Sequence, residues 1–268
     1  MALVETDLFG EVRDKVAIAI ERIKTFCPPE GYYVAFSGGK DSVVVYDLVK
    51  RSDVMADYHY NITGIDPPEL YYFIRDEFPE VQRHRPEMTM WSLIVKKMMP
   101  PTRLVRYCCE YLKERGGVGR TVVTGIRWAE SSRRSKRKMV ESCFKDVRKH
   151  YVNPIIDWSD NDVWEYIKQN NIKYCKLYDE GFKRLGCVGC PMAGDKRLTE
   201  FARWPRYERL YRRAFVAAAA ARNMKRCRAE WEKSNPLLDS WTDGESMWVW
   251  WMNEHRGKGD PDQTVMFE

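Results

Sequence analysis

A glycine-rich hexapeptide between a predicted strand and a predicted helix constrains the fold of this chain more than any other feature. The hexapeptide at 37–42 reads SGGKDS, and it follows a short apolar run at 32–36 that is typical of a buried strand. A helical pattern follows at 42–50. Glycines let an anion approach the backbone closely, and the start of a helix offers unpaired N–H groups and a favourable dipole. The sequence therefore predicts a phosphate-binding loop.

The polar side chains of this loop fit the same chemistry. Lysine and serine donate hydrogen bonds to phosphate oxygens, and an aspartate can hold a magnesium ion. The loop lacks the GxxxxGK[ST] spacing of a Walker A motif, and it does not match GxGxxG. All six residues are predicted to bind nucleotide: Ser37, Gly38, Gly39, Lys40, Asp41 and Ser42.

Strand and helix patterns alternate over the first half of the chain. Strands are predicted at 32–36, 56–63, 81–85 and 121–126, and helices at 12–26, 42–50, 67–78, 90–99 and 106–115. Such alternation favours an α/β fold, a parallel sheet with helices on both faces. A further helix is predicted after the cap Ser159, and a largely helical, basic C-terminal region at 196–233.

The eight cysteines include two close pairs, one adjacent pair and one CxxC. Four thiolates suit a [4Fe–4S] cluster or a structural zinc ion, and the spacing leaves both open. The predicted metal ligands are Cys108, Cys109, Cys187 and Cys190. The other four are predicted to pack as small apolar residues: Cys27, Cys143, Cys175 and Cys227.

Several motifs in one order together resemble the PAPS reductase family of the PP-loop, or N-type ATP pyrophosphatase, superfamily. That family includes adenylylsulfate reductases with a CC…CxxC-ligated [4Fe–4S] cluster. The matching pieces are SGGKDS at 37–42, Thr63-Gly64, Cys108-Cys109, TGIR…ES at 124–131, VNPIIDWSDNDVWEYI at 152–167 and LYDEGFKRLGCVGCP at 177–191. The resemblance covers roughly residues 30–191.

The resemblance implies an adenine nucleotide alpha hydrolase-like fold with nucleotide phosphates at 37–42. It implies ATP or (phospho)adenylylsulfate as ligand, Mg²⁺, and a [4Fe–4S] cluster on the four paired cysteines. Outside the loop it adds these nucleotide-binding residues: Thr63, Gly64, Gly125 and Arg127. Arg127 would face the anionic end of the substrate and, with Lys40 and Asp41, act in catalysis. The predicted domains are a nucleotide-binding domain at 1–191 and a helical, basic and aromatic extension at 192–268.

One departure from the family concerns its reductases, which carry a nucleophilic cysteine in a C-terminal ECG-type motif. Beyond Cys190 the sequence has one cysteine, Cys227, in the setting MKRCRAE. Thiolate attack on sulfur needs an accessible cysteine of low pKa. The departure therefore favours a reaction that does not use such a cysteine.

Positive charge is concentrated in two segments. Residues 120–149 hold ten Lys/Arg against three Asp/Glu, and residues 196–228 hold eleven against two, in a chain of net charge +6. The basic stretches at 127–149 and 196–228 are predicted to contact DNA or tRNA, with Arg222, Arg226 and Arg228 as phosphate contacts. Solvated surface remains the alternative. The aromatic residues of the second segment fit a buried stripe better than a base-stacking surface.

The leading hypothesis is an ATP pyrophosphatase that adenylates an acceptor for sulfur insertion, as in DNA phosphorothioation, with a cysteine desulfurase as sulfur source. An alternative is a sulfonucleotide reductase that releases sulfite and uses a thioredoxin-type reductant. A second alternative is a non-catalytic nucleotide- or cluster-binding partner. The acidic N-terminal stretch does not resemble a signal peptide, and no apolar run is long enough for a bilayer, so a cytoplasmic location without membrane contact is expected.

Overall fold

The computed structural model describes residues 3–6, 12–143, 148–226 and 241–253. In these ranges the strands are β1 (Val4–Thr6), β2 (Val12–Asp14), β3 (Tyr32–Ala35), β4 (Ala56–Asn61), β5 (Gln82–His84), β6 (Thr121–Val123), β7 (Val140–Ser142) and β8 (His150–Val152). The helices are α1 (Lys15–Thr25), α2 (Lys40–Arg51), α3 (Pro68–Glu77), α4 (Met90–Lys97), α5 (Tyr107–Leu112), α6 (Asp160–Gln169), α7 (Lys196–Arg203), α8 (Pro205–Arg226) and α9 (Gly244–Asn253).

The central sheet has six strands in the order β5-β4-β3-β6-β8-β7. All its neighbouring strands are parallel except β7, which pairs antiparallel with β8 at one edge. Strand β3 is central and has the apolar composition of a strand covered on both sides, with Tyr32 and Val34 fully buried. The mostly parallel α/β sheet with helices agrees with the sequence prediction.

The predicted helix at 12–26 is wrong at its start. Residues Val12–Asp14 form β2, which pairs antiparallel with β1. The carboxylate of Asp14 accepts the backbone N–H groups of Val16 and Ala17, at 2.9 and 3.0 Å, and this cap begins α1 at Lys15.

The long helix predicted at 196–233 is two helices in the structure. Helix α7 ends at Arg203 and α8 begins at Pro205, because proline lacks an N–H and is tolerated in the first turn of a helix but not in its interior. Residues 227–233 of that prediction lie outside the described residues. The predicted strand at 121–126 is also shorter, since β6 ends at Val123.

The chain divides into two compact units. One comprises residues 1–61, 68–84 and 115–185 and contains the central sheet; the other comprises residues 62–67, 85–114 and 186–268. The domain boundary predicted at residue 191 stays a prediction. None of the helices in the described ranges is long and apolar enough to span a membrane.

The second unit has its own aromatic core. Phe201, Tyr211 and Phe215 of α7 and α8 are buried, and they pack against Trp248 and Trp251 of α9. Tyr211 and Trp251, for example, have ring centroids 4.9 Å apart. The aromatic repeat of the basic segment is therefore a core stripe, as the sequence indicated.

Candidate functional site

A cleft of about 360 Å³ in the sheet-containing unit collects most of the predicted nucleotide-binding residues. It lies where the carboxyl ends of β3 and β6 meet the start of α2, the edge at which α/β sheets bind ligands. The predicted residues that line it are Ser37, Gly39, Lys40, Asp41, Ser42, Gly125 and Arg127. Gly38 belongs to the same loop.

The loop at 37–42 is held by its own hydrogen bonds. The Ser42 hydroxyl donates to the Gly39 carbonyl at 2.8 Å and accepts the Ser37 backbone N–H at 3.3 Å. Gly38 has φ +71°, a left-handed conformation that favours glycine. A Cβ on Gly125 would lie 3.0 Å from the backbone carbonyl of Asp41, so this glycine lets β6 approach the start of α2.

Four charged side chains form a compact network on the floor of the cleft. The Arg127 guanidinium is 1% exposed; its Nε donates to Asp41 at 2.7 Å and its Nη2 to Asp160. Lys40 Nζ lies 3.1 Å from Asp160 and 3.4 Å from Asp41. Two cations and two carboxylates balance, so the network is neutral before a ligand binds.

Electrostatic effects in this network shift the pKa values of Arg127 and Asp160. Burial alone would lower the pKa of Arg127, but the carboxylates of Asp41 and Asp160 raise it above its ordinary value. Partial burial of Asp160 tends to raise its pKa, while Arg127 and Lys40 hold that pKa below its ordinary value. The cleft thus presents fixed opposite charges to a ligand.

The cleft residues that the sequence prediction missed include Asp160, Tyr178, Lys183 and Arg184. Asp160 opens α6, where the predicted capping of Ser159 with Asp162 is confirmed at 3.1 and 2.7 Å. That pattern predicted a helix start but not its proximity to the loop. The other three lie in the LYDEGFKRLG stretch, whose loop structure only tertiary contacts define.

The four paired cysteines lie together in the second unit. The Cys108 and Cys109 side chains are hydrogen-bonded, and Cys187 and Cys190 are close enough to raise the pKa of Cys108 electrostatically. Among the described residues, no three His, Cys, Asp or Glu side chains are already arranged to hold a metal ion. The donor set of four thiols fits a Cys₄ cluster chemically.

The surroundings of these thiols are polar on one side. The Cys187 thiol lies 3.9 Å from the Thr63 hydroxyl and 3.8 Å from an Asp66 oxygen. Burial raises the pKa of Cys187 to about 12, although the Lys113 ammonium opposes this effect. Burial would lower the pKa of Lys113, but Cys187 and Asp66 raise it above its ordinary value. Lys113 thus supplies positive charge beside the thiols.

Two predicted nucleotide-binding residues lie with these cysteines. Thr63 is buried and its hydroxyl accepts the Ile65 N–H at 3.2 Å, while Gly64 has φ +73° in the same turn. They belong to the second unit, and the phosphate loop belongs to the first. Their nucleotide contacts stay a prediction. Cys227 lies outside the described residues.

Part of the second basic segment has a structural role. Arg222 is 1% exposed and stacks over the Trp241 ring at 5.1 Å, and fully buried Arg197 stacks over Trp251 at 4.6 Å. The prediction that Arg222 contacts phosphate from the surface is therefore wrong, because its side chain is packed inside the helical unit. Nucleic-acid contact by the remaining basic residues stays a prediction.

Comparison with known proteins identifies the family. Residues 31–193, more than half of the 268-residue chain, match the family described as "Phosphoadenosine phosphosulfate reductase domain". The chain belongs to this PAPS reductase family. The family match contains the whole cleft loop, Arg127 and all four paired cysteines.

Individual relatives and structures agree with this family. An adenosine 5'-phosphosulfate reductase of Oceanobacillus iheyensis is 27% identical over 184 residues, which cover 63% of this chain and 75% of the relative. A probable FAD synthase of Schizosaccharomyces pombe is 28% identical over 169 residues, 60% of each protein. The crystal structure of a PAPS reductase from Candida auris superposes with TM-score 0.50 at 19% identity, over 63% of this chain and 87% of that one. That superposition shows a shared fold.

Proposed function

We propose that this protein binds adenylylsulfate or its 3′-phosphate in the cleft and releases sulfite in a thiol-dependent reaction. The observation that carries the proposal is the cleft itself, in which the start of α2, Lys40 and buried Arg127 surround one space. The relatives named adenosine 5'-phosphosulfate reductase support this substrate class over others. From the sequence alone the reductase was the alternative and the pyrophosphatase the leading hypothesis. We now prefer the reductase because of these relatives.

The cleft residues match what this reaction demands. A thiolate attacks the sulfur, the S–O bond to the nucleotide breaks, and the departing phosphate gains negative charge. Lys40, Arg127 and the loop N–H groups are positioned to stabilise that charge, and preorganised stabilisation of this kind often contributes more to catalysis than any other effect. A second thiol then attacks the first thiol's sulfur, releases sulfite and forms a disulfide. Two thiols of a dithiol reductant and one sulfonucleotide therefore give sulfite, one disulfide, and AMP from adenylylsulfate or adenosine 3′,5′-bisphosphate from its 3′-phosphate.

The test measures sulfite under anaerobic conditions with a dithiol reductant and either sulfonucleotide. We expect sulfite release by the wild type and a loss of roughly ten- to a hundredfold in kcat/KM for Lys40→Ala, because a hydrogen bond to a charged group is removed. Lys50→Ala is the matched control, since Lys50 lies on the same helix with its side chain 48% exposed. Wild type that releases no sulfite from either nucleotide would refute the proposal.

An ATP pyrophosphatase is the second candidate, and the carboxylates of the cleft favour it. Asp41 and Asp160 supply the oxygen ligands that Mg²⁺ prefers, and a magnesium–nucleotide complex carries both the cation they would bind and the anion that Lys40 and Arg127 would bind. An acceptor oxygen would attack the α-phosphorus and release pyrophosphate. This is the leading hypothesis from the sequence alone.

Pyrophosphate release distinguishes the two candidates. ATP and Mg²⁺ are supplied with and without duplex DNA or tRNA, and pyrophosphate is measured beside sulfite. Pyrophosphate that appears only with nucleic acid, together with no sulfite from sulfonucleotides, would favour the pyrophosphatase. Sulfite without pyrophosphate would favour the reductase.

We propose further that Cys108, Cys109, Cys187 and Cys190 hold one [4Fe–4S] cluster. Their grouping in one unit, beside the positive charge of Lys113, supports an anionic thiolate cluster. Such a cluster supplies a redox-active or electrostatic centre when bound. Zinc on the same ligands is the alternative.

Anaerobic purification and metal analysis test the cluster. We expect brown protein with about four iron atoms per chain, and we expect Cys187→Ser to lose the iron. Cys175→Ser is the control, because Cys175 is buried and lies outside the ligand set. Colourless wild type with one zinc ion would decide for zinc.

A further inference from the structure

The hydroxyl of Tyr178 occupies a key position at the start of helix α2. It accepts the backbone N–H of Lys40 at 2.9 Å. Lys40 is the first residue of α2, and Gly39 before it has no side chain to cap the helix. The N–H groups of this turn are those that a bound anion would otherwise meet. The Tyr178 side chain therefore contacts the start of α2 and also lines the cleft.

The Tyr178 ring is held by other aromatic rings. Its centroid lies 5.0 Å from that of Trp164 and 6.3 Å from that of Tyr174, both in edge-to-face geometry. Trp164 is part of α6, and Trp164 and Tyr174 also pack edge-to-face with each other, at 5.3 Å. Such pairs favour one ring orientation. The hydroxyl is therefore preorganised rather than placed by a freely rotating side chain.

The hydroxyl has a proton left to donate. Burial raises the pKa of Tyr178 well above its ordinary value, so the phenol stays protonated. Its oxygen accepts from Lys40, and within the described part of the chain no acceptor receives its proton. A protonated phenol that already accepts one hydrogen bond is a stronger donor in the second, because hydrogen bonds in a chain polarise one another.

The charged groups of the cleft make this donor important. Lys40 and Arg127 are already paired with Asp41 and Asp160, so an incoming anion competes with two carboxylates for them. Among the described residues, no carboxylate competes with an incoming anion for the proton of the Tyr178 hydroxyl. This hydroxyl is a ready donor at the point where the helix dipole also favours negative charge.

We propose that Tyr178 is a ligand-binding residue that relays the Lys40 N–H to the anionic group of the nucleotide. Its hydroxyl accepts from the first N–H of α2 and donates to a phosphate or sulfate oxygen. The inference rests on the proposed function in one respect, that the cleft takes a phosphorylated adenine nucleotide. The inference adds to that function a residue whose hydroxyl donates directly to the anionic group.

The experiment compares Tyr178→Phe with Tyr174→Phe. Tyr174 is the matched control, since it belongs to the same aromatic cluster but its hydroxyl donates to Asp179 at 3.0 Å on the surface. AMP and inorganic pyrophosphate are titrated by calorimetry into each folded protein, and KM and kcat are measured with adenylylsulfate. Near-ultraviolet circular dichroism verifies that the ring cluster is kept in both variants.

We expect Tyr178→Phe to bind both anions roughly ten- to a hundredfold more weakly, as for a hydrogen bond to a charged group, and Tyr174→Phe to bind like wild type. The KM for adenylylsulfate should rise more than kcat falls. Equal binding by Tyr178→Phe and wild type, or tighter binding by the variant, would overturn the inference. Wild type that binds neither anion would overturn it as well. Wild type that binds AMP but releases no sulfite would refute the proposed reaction alone.

Discussion

Arg127 connects more of the candidate site than any other single side chain. Its guanidinium donates to Asp41, to Asp160 and to the Trp158 carbonyl, the last at 3.1 Å. The planar fork of arginine suits several acceptors at fixed angles, whereas lysine is a point charge on a flexible stem. The fork therefore fixes the relative positions of two carboxylates from different segments of the chain.

For this reason we predict that Arg127→Lys impairs the reaction although it keeps the charge. The kcat/KM for sulfite release should fall at least tenfold, and the free energy of unfolding by about 1–3 kcal/mol, because the carbonyl of buried Trp158 and the two carboxylates lose donors. Steady-state kinetics and urea denaturation measure the two quantities. Arg75→Lys is the control, since Arg75 forms only an exposed pair with Asp76. An Arg127→Lys enzyme with wild-type kcat/KM would contradict the role of the fork.

At the scale of elements, the phosphate loop depends on close packing under Gly38. A Cβ there would lie 2.7 Å from the Ile74 Cδ1 and 2.8 Å from the Leu70 Cδ1, and both of these α3 side chains are buried. Gly119 has the same φ of +71°, yet a Cβ there meets nothing within 4 Å. Alanine substitutions at Gly38 and Gly119 therefore distinguish the cost of steric overlap from the cost of backbone strain.

We predict that Gly119→Ala lowers the free energy of unfolding by about 1–2 kcal/mol, because a non-glycine residue is strained in the left-handed conformation. Gly38→Ala should lower it by a further 1–3 kcal/mol or so, because the buried neighbours must shift. It should also weaken nucleotide binding. Urea titrations of both variants provide the comparison, and equal losses would show that α3 accommodates the methyl group.

Three titratable side chains, Asp57, His59 and His84, are connected by hydrogen bonds where β4 pairs with β5. His59 is buried, stacks on Tyr33 with centroids 3.9 Å apart, hydrogen-bonds to Asp57, and lies with its Nδ1 2.7 Å from the His84 Nε2. Burial lowers the pKa of His59 below 6.5, against the opposing effect of Asp57. In the folded state His59 therefore holds its proton less tightly than in the unfolded chain.

The sign of the pH effect follows from this difference. The unfolded state binds more protons below about pH 6.5, so the stability that neutral His59 contributes is present above that pH and is lost as the pH falls through the folded-state pKa. We predict that unfolding free energy declines from about pH 7 to about pH 5 and that His59→Gln reduces the decline. His150→Gln, a change at an exposed histidine on β8, is the control. An unchanged pH profile for His59→Gln would assign the decline to other groups.

At the scale of the whole molecule, the arginine residues counted in a basic segment of the sequence do not all lie on the surface of the folded protein. Arg197 and Arg222 are buried against tryptophan rings, and Arg212 pairs with Glu208 and Glu245. Exposed arginines without an ion pair in the described part of α8 include Arg209 and Arg213. Only such residues are available to a polyanion.

We therefore predict that any binding of DNA or tRNA by this segment uses Arg209 and Arg213. The double variant to Gln should lower the slope of log affinity against log salt by about 2, one unit for each phosphate that the variant no longer neutralises. Arg222→Met is the control and should leave that slope unchanged, because Arg222 is buried. Fluorescence anisotropy with a labelled duplex over a range of salt measures the slopes. A wild type without salt-dependent binding would exclude a nucleic-acid surface here.

The sequence by itself determined the local features. Apolar runs, the SGGKDS loop, the Ser159 cap and the aromatic repeat predicted the central strands, the starts of α2 and α6 and the core stripe, because these depend on residues close along the chain. Motif order indicated the family. The strands β1, β2, β7 and β8 were missed, because they form through pairing with other strands, which the sequence pattern does not show.

Tertiary structure alone decided which distant residues share the cleft. Asp160 and Tyr178 lie more than a hundred residues from the loop in sequence, and their contacts with Lys40 arise only when β3, β6 and α6 are assembled. Burial likewise separated structural arginines from exposed ones within one basic segment, since charge can be counted in a sequence but solvent access cannot. Whether a polar side chain is buried or exposed depends on the residues that pack around it, and those residues come from all parts of the folded chain.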